Sequence, residues 1–384
     1  MPTVLIHVQH LLGIGHLQRA VAIASALRGR GTRVVLASGG EPVAQLEQRA
    51  AITGVEIAHL PTARAADANF SAIQDESGKP IDDAWRVRRK DLLLKLFSEA
   101  KPDAVVTEMY PFGRRAFGFE LVPLLEAARS RDLVIASSVR DVLVANNKPG
   151  RADDIAATVR RFYDLALVHG DAQLIPFGAT FPAAAEIADR IRYTGYVADG
   201  VATSAAADRT GGEVLVSAGG GAVGLPLLQA AIAARRLSKT SGRWRIIAGV
   251  NLAEADYAAL LGAAAHDPGL TVERFRADFR ALLAKCRVSV SQGGYNTVLE
   301  TLATRTPAVI VPFAEGQESE QTDRARLLAE KGLVRFLPQA ALTPERLARE
   351  IDGAAEMQVP RIELDLDGAA GAADLILAAI AERR

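Results

Sequence analysis

Short apolar runs alternate with longer stretches in which apolar residues recur every three or four positions, and this rhythm covers most of the chain. Val4 to Val8 is the first compact run; QHLLGIGH follows, then a helical pattern from Leu17 to Leu27 that stops at glycines 29 and 31. Arg33 to Ala37 and Val55 to Leu60 read as the second and third strands, with a helix over Glu41 to Ala50 between them. Thr62 to Ala84 breaks the rhythm with a polar stretch, expected to be a lid or binding loop. Trp85 to Ala100 returns to helix, and Ala104 to Thr107, Leu133 to Ser137 and Leu165 to Val168 are further strands.

Thr194 to Gly212 is small and polar and reads as an interdomain linker, after which the alternation restarts. Strands are expected over Glu213 to Ser217, Trp244 to Ala248, Leu270 to Phe275, Arg287 to Val290 and Thr306 to Pro312, and helices over Pro226 to Arg236, Glu254 to Ala265 and Tyr295 to Ala303. Strands that alternate with helices imply parallel sheets covered on both faces. The expected architecture is therefore α/β, with two doubly wound, Rossmann-like domains. They would span 1–195 and 213–368, joined by a linker over 196–212, with a last helix at 369–384 crossing back to the first domain.

Composition narrows the function. With 49% apolar and 23% charged residues over 384 positions, the chain can bury a core in each of two domains. Lys+Arg and Asp+Glu both number 45, so no global field favours nucleic acid, and a peripheral membrane contact finds no support in the charge balance. No apolar run reaches the roughly 18 residues of a membrane span, and the N-terminus starts directly with a strand. The single Cys286 precludes an internal disulfide and reads as a buried, inert thiol, in keeping with a reducing cytoplasm.

The candidate chemistry sits at glycine-rich strand-to-helix turns. Gln292, Gly293 and Gly294 enter the helix that begins at Tyr295, where close backbone approach, free amides and the positive helix end suit a phosphate. Glu300 follows within two turns, placed to accept hydrogen bonds from a ribose diol, although a solvated glutamate has the same spacing. The GIGHLQ turn has the first two glycines of a dinucleotide fingerprint but Gln18 in place of the third, which argues against a nicotinamide or flavin cofactor. Gly219 to Gly224 has the outer glycines of a P-loop but Leu225 and Pro226 where Lys and Ser/Thr belong, so it is no ATPase loop. At carboxyl ends of first-domain strands, where open parallel sheets bind ligands, stand His10, His16, Glu108, Arg114, Arg115, Arg140, Asp141 and His169. The histidines lack metal-ligand spacing, and Asp365-Leu366-Asp367 lies far from any nucleotide turn, so no metal site is expected.

SQGGYNTVLETLATRTPAVIVPF followed by EQTDRARLLAEKG resembles the donor-binding domain of glycosyltransferase family 28, most clearly over 272–334. The resemblance implies the GT-B fold, two facing domains with a cleft between them, and an inverting, metal-independent transfer of sugar from a UDP-sugar to an unidentified small-molecule, glycan or lipid acceptor. The nucleotide sugar would be a co-substrate, with no cofactor. By resemblance the donor-binding set is Gly219, Gly220, Gly221, Phe275, Gln292, Gly293, Gly294, Asn296, Glu300, Glu320 and Gln321, with Phe279 a second candidate to stack on the base. The family has two glutamines where this chain has Glu320 and Gln321, and the loop after Phe313 is one residue longer, which leaves the sugar open. Acceptor-side candidates are Gly13, Gly15, His10, Arg140 and Asp141, with His16, on its family-like G-x-G-H turn, ahead of Glu108 as general base. A nucleotide-sugar 2-epimerase and a non-catalytic nucleotide-sugar-binding subunit fit the same fold.

Overall fold

The computed structural model describes residues 1–384 except 12, 67–71, 145–148, 199–208, 210, 221–222 and 315–318. It divides into two compact units, Met1–Asp199 with Asp365–Arg384, and Gly200–Leu364.

The first unit runs β1 (Thr3–Val8), α1 (Gly15–Gly29), β2 (Arg33–Ser38), α2 (Ala44–Thr53), β3 (Glu56–His59), β4 (Arg64–Ala65), β5 (Ile73–Gln74), α3 (Asp83–Ala100), β6 (Ala104–Glu108), α4 (Gly118–Ser130), β7 (Val134–Arg140), α5 (Arg151–Phe162), β8 (Leu165–His169) and β9 (Ile191–Tyr193). Seven strands form one sheet in the order β3-β2-β1-β6-β7-β8-β9, parallel at every pairing. Successive residues of a strand face opposite sides, and Leu5, Val35, Val105 and Ile135 enter one buried cluster while Val4, Ile6, Leu36 and Val106 enter another. Both faces are thus cores, which is why these strands read as continuous apolar runs. The polar stretch expected to be a loop holds the short antiparallel pair β4–β5.

The second unit continues with β10 (Val214–Ser217), α6 (Leu225–Ala234), β11 (Trp244–Ile247), α7 (Glu254–Ala264), β12 (Leu270–Glu273), α8 (Phe279–Lys285), β13 (Val288–Ser291), α9 (Tyr295–Thr304), β14 (Ala308–Ile310), α10 (Glu320–Glu330), β15 (Arg335–Phe336) and α11 (Pro344–Ala355). Its six strands are ordered β12-β11-β10-β13-β14-β15, again parallel throughout.

The last helix, α12 (Gly368–Arg383), belongs to the first unit. Its Ala372, Ala373, Ile376 and Ile380 share a buried cluster with Leu17, Ala20 and Val21 of α1. Tyr196 N–H donates to the Asp365 carbonyl at 2.8 Å and Gly368 N–H to the Tyr196 carbonyl at 3.1 Å. The linker expected from 196 therefore begins later, because Tyr196 and Val197 are tied by backbone bonds to the returning strand of chain. Asp365 and Asp367 take part in this return, with Asp365 Oδ1 accepting from Asp367 N–H at 2.9 Å. Among the described residues no helix is long and apolar enough to cross a membrane.

Candidate functional site

Each sheet has a topological switch point, where successive connections leave in opposite directions and the strand ends open a crevice. In the first unit it lies between β1 and β6; in the second, between β10 and β13.

At the second unit's switch point, Ser217 and Ser291 end paired strands side by side. The turns that follow are bound to each other: Gln292 Nε2 donates to the Val223 carbonyl at 3.2 Å, and Asn251 Nδ2 donates to the Gly220 carbonyl. Two glycines are required here. Gly249 has φ +91 and a Cβ would sit 2.5 Å from the Gly219 carbonyl oxygen; Gly293 has φ +80 and a Cβ would sit 2.6 Å from Ile310 Cγ2. The result is a cavity of about 360 Å³ walled by the backbone of Gly219, Gly220 and Gly249 on one side and by Thr297 and Glu300 of α9 on the other. Glu300, 8% exposed, accepts at Oε1 a hydrogen bond from Arg280 Nε at 2.7 Å. Phe275, between Arg274 and Arg276 in the lining, is 66% exposed, while Phe279 lines the cavity and also packs against the cluster around Leu215.

The remaining described donor-side candidates are not part of this cavity's lining. Asn296 is exposed on the first turn of α9. Glu320 accepts from Arg324 Nη2 at 3.0 Å, and the buried Arg324 guanidinium lies 5.3 Å from the Tyr295 ring centroid. Gln321 Oε1 accepts from Phe313 N–H at 3.2 Å, so its carbonyl shapes the loop after β14. Gly221 lies outside the described residues. Cys286 is buried with its thiol pushed up to about 12 by desolvation, an inert group.

At the first unit's switch point, two residues separated by 92 positions meet. His16, on the first turn of α1, points Nδ1 at both carboxylate oxygens of Glu108, the last residue of β6, at 2.8 and 2.9 Å. Arg19, one turn along α1, donates to the same carboxylate. Burial first, then Arg114 and Arg140, holds the His16 imidazole down at about 4 in spite of Glu108. Desolvation opposes the charge on Glu108, but His16 and Arg19 outweigh it and keep the carboxylate ionised. His16 is thus neutral at pH 7, with Nδ1–H donating to Glu108 and Nε2 left as a base. His16 and Glu108, expected as rivals for one role, are partners, because the strand order sets β1 beside β6.

The other first-unit candidates divide by what they touch. Arg114 donates through Nε to the Gln9 carbonyl at 2.8 Å, whereas Arg115 pairs with Asp154 at 3.6 Å. A Cβ on Gly15 would lie 3.4 Å from Arg140 Nη2, and one on Gly13 would meet nothing within 4 Å. His10 is buried with Nε2 on the Glu41 carbonyl at 2.9 Å, and Asp141 is buried with Oδ1 accepting from Val142 N–H at 3.0 Å. His169 is wholly buried between Ser138 Oγ at 2.7 Å and Thr194 Oγ1 at 2.9 Å and is driven down to about 3 by desolvation. Both of its nitrogens are used in packing the sheet, which removes it as a base.

Sequence reasoning missed two arginines and a network. Arg19 and Arg280 lie within helical patterns as ordinary polar positions, and only the spacing of Arg19 to His16, three residues along one helix face, hinted at a shared site. Arg89, fully buried, donates to Glu120 at 2.7 and 2.9 Å and to Gln9 Oε1 at 2.5 Å, while His7 Nε2 lies 3.1 Å from Glu120. This network fixes the backbone that follows β1.

The model of the glycosyltransferase family 28 C-terminal domain matches residues 234–363. The second unit carries a glycosyltransferase family 28 C-terminal domain. A UDP-N-acetylglucosamine--N-acetylmuramyl-(pentapeptide) pyrophosphoryl-undecaprenol N-acetylglucosamine transferase of Methylibium petroleiphilum is 38% identical over 85 residues, 22% of this chain and 23% of the relative. The match thus spans under a quarter of that relative's length. Among solved structures, Acinetobacter baumannii MurG superposes with a TM-score of 0.66 at 16% identity, covering 98% of this chain and 100% of that one. CalG4, the calicheamicin glycosyltransferase, gives 0.61 at 16% identity, covering 100% and 95%. The chain has the GT-B fold. Of the expected donor set, Gly219, Gly220, Phe275 and Glu300 line the cavity, while Gln292, Gly293, Gly294, Asn296, Glu320 and Gln321 are not part of its lining.

Proposed function

We propose that the chain is an inverting glycosyltransferase that moves a sugar from a nucleoside-diphosphate sugar, UDP-type first, to an acceptor hydroxyl. The carrying observation is the His16–Glu108 pair at the switch point of one unit of a chain whose other unit is a family 28 domain. In the proposed step, His16 Nε2 takes the hydroxyl proton as the acceptor oxygen attacks the anomeric carbon from the face opposite the diphosphate. The bond from that carbon to the diphosphate oxygen breaks, and the diphosphate leaves with the electron pair. Amides of the turns at Gly219 and Gly220 and the start of α6 are donors suited to that developing charge, so the departure is proposed to need no metal ion. Glu108 keeps the imidazole in the useful tautomer and stabilises the imidazolium that forms.

Glu300 Oε2 is the proposed partner of a ribose hydroxyl, Oε1 being held by Arg280. Phe275, exposed at the cavity, is the proposed platform for the base. Because the Methylibium transferase is named for UDP-N-acetylglucosamine, that nucleotide sugar is the first donor to test, and the acceptor is left as a hydroxyl compound of glycan or lipid type. A cytoplasmic site of action fits the single buried cysteine.

The test is a thermal-shift and calorimetric screen of UDP, UDP-N-acetylglucosamine and other nucleotide sugars, followed by product analysis. Ligands of the native state raise the melting temperature by mass action. Absence of any nucleotide-dependent shift would remove the donor assignment, and release of epimerised nucleotide sugar without an acceptor would replace transfer by epimerisation.

A further inference from the structure

The contact of Arg19 with Glu108 has a purpose that hydrogen bonding alone does not explain. Arg19 is 5% exposed and Glu108 1%. Arg19 Nη2 reaches Glu108 Oε1 and lies 3.4 Å from His16 Nδ1, so guanidinium, carboxylate and imidazole share one buried contact. A buried carboxylate facing only an imidazole draws a proton onto the ring, because an ion pair costs less than a lone charge in low dielectric. A protonated ring is no base. We propose that Arg19 is a positioning residue that matches the charge of Glu108, leaving His16 neutral with its proton on Nδ1 and Nε2 open. The inference rests on reading His16 as the base, but it concerns the ionisation of the pair, which is measurable without turnover.

The surroundings act in the same direction. Arg114, on the loop after β6, and Arg140, at the end of β7, add positive charge near His16 and repel a proton from it. His169 of β8 and His10 after β1 are buried with lowered proton affinity, so both stay neutral and add no charge of their own beside the pair. Glu108 is the acidic group drawing a proton to His16 among its described neighbours, and Arg19 is the cation in direct contact with it.

The experiment is a long-range ¹H–¹⁵N titration of the histidine rings in the full chain, with the His16 signals assigned by their absence from His16→Gln. Wild type is expected to keep His16 neutral down to the acid limit of folding. In Arg19→Met the midpoint should rise by about two pH units or more, as expected for a carboxylate left uncompensated at hydrogen-bond distance, and Arg19→Lys should stay near wild type. Should the Met variant not fold, Arg19→Gln, which keeps a donor but no charge, makes the same comparison. A midpoint within about half a unit of wild type in the neutral variants overturns the proposal. The kinetic counterpart is UDP release from UDP-N-acetylglucosamine with water as acceptor: the ratio of rates at about pH 5 and about pH 9 should fall roughly tenfold in Arg19→Met. A general loss at both pH values with an unmoved midpoint would mean mere scaffolding. No UDP release by wild type would count against the proposed function, while the ring titration still decides the role of Arg19.

Discussion

An imidazole whose Nδ1 is held by a buried carboxylate is a base with one free nitrogen, and this shapes what substitutions at the pair should do. His16→Ala removes the proton acceptor and should lower kcat by about 100-fold or more while leaving UDP affinity nearly intact. Glu108→Gln keeps a hydrogen-bonding group and should cost less, acting on tautomer and charge; a turnover loss confined to Glu108→Gln would exchange the two roles. On the donor side, Glu300→Ala should weaken UDP binding by roughly 1 to 3 kcal/mol through loss of a charge-assisted hydrogen bond. Unchanged affinity by calorimetry would end the ribose assignment. At this scale the sequence was informative about type and poor about company. His16 and Glu108 could each be nominated from a strand end, but a separation of 92 positions hid that they touch. Arg19 was invisible because a polar residue in a helix reads as solvated until the neighbouring strand is known.

Turns between strand and helix are where the elements meet the proposed chemistry. Gly249 illustrates the constraint: with φ +91 and the Gly219 carbonyl 2.5 Å from any added Cβ, Gly249→Ala must push the first glycine turn aside. It should cost about 1 to 3 kcal/mol of stability and weaken UDP binding as well; denaturant midpoints and UDP titrations that both match wild type would contradict this packing. Most strands and helices were legible because strands buried on both faces are short and apolar and helices between them are periodic. The pair β4–β5 was not, since two-residue strands leave no period to read. Nor was the structural use of Gln321, whose carbonyl meets the Phe313 amide. A side chain that satisfies a loop amide and one that holds a sugar have the same letter.

For the whole molecule, acid should act through histidines before carboxylates. His16 and His169 titrate at about 4 and about 3 in the folded chain, below the ordinary value near 6.5, and His10 is lowered too. As pH falls below about 6.5 the unfolded chain takes up protons that the folded chain refuses, so stability should fall by up to ~1 kcal/mol per pH unit for each such ring and level above that pH. Urea unfolding across pH 4.5 to 8 that shows no such slope would contradict neutral, buried rings. The core shared with the last helix should be equally telling: Ile376→Ala, at 0% exposure, is expected to cost about 2 to 5 kcal/mol in the first unit.

The return of α12 has a further consequence in the language of genes. Because Val197 and Asp367 are backbone-paired neighbours, the first unit is a host whose two segments meet side by side, and Gly200–Leu364 is a guest spliced between them. A gene in which a few glycine and serine codons replace the guest should encode a host that still unfolds cooperatively, since its core clusters draw on no guest residue. It also means that the guest can be exchanged for another donor domain at two adjacent seams, a route by which such chains can acquire new nucleotide sugars while the proposed base, His16, stays in the host.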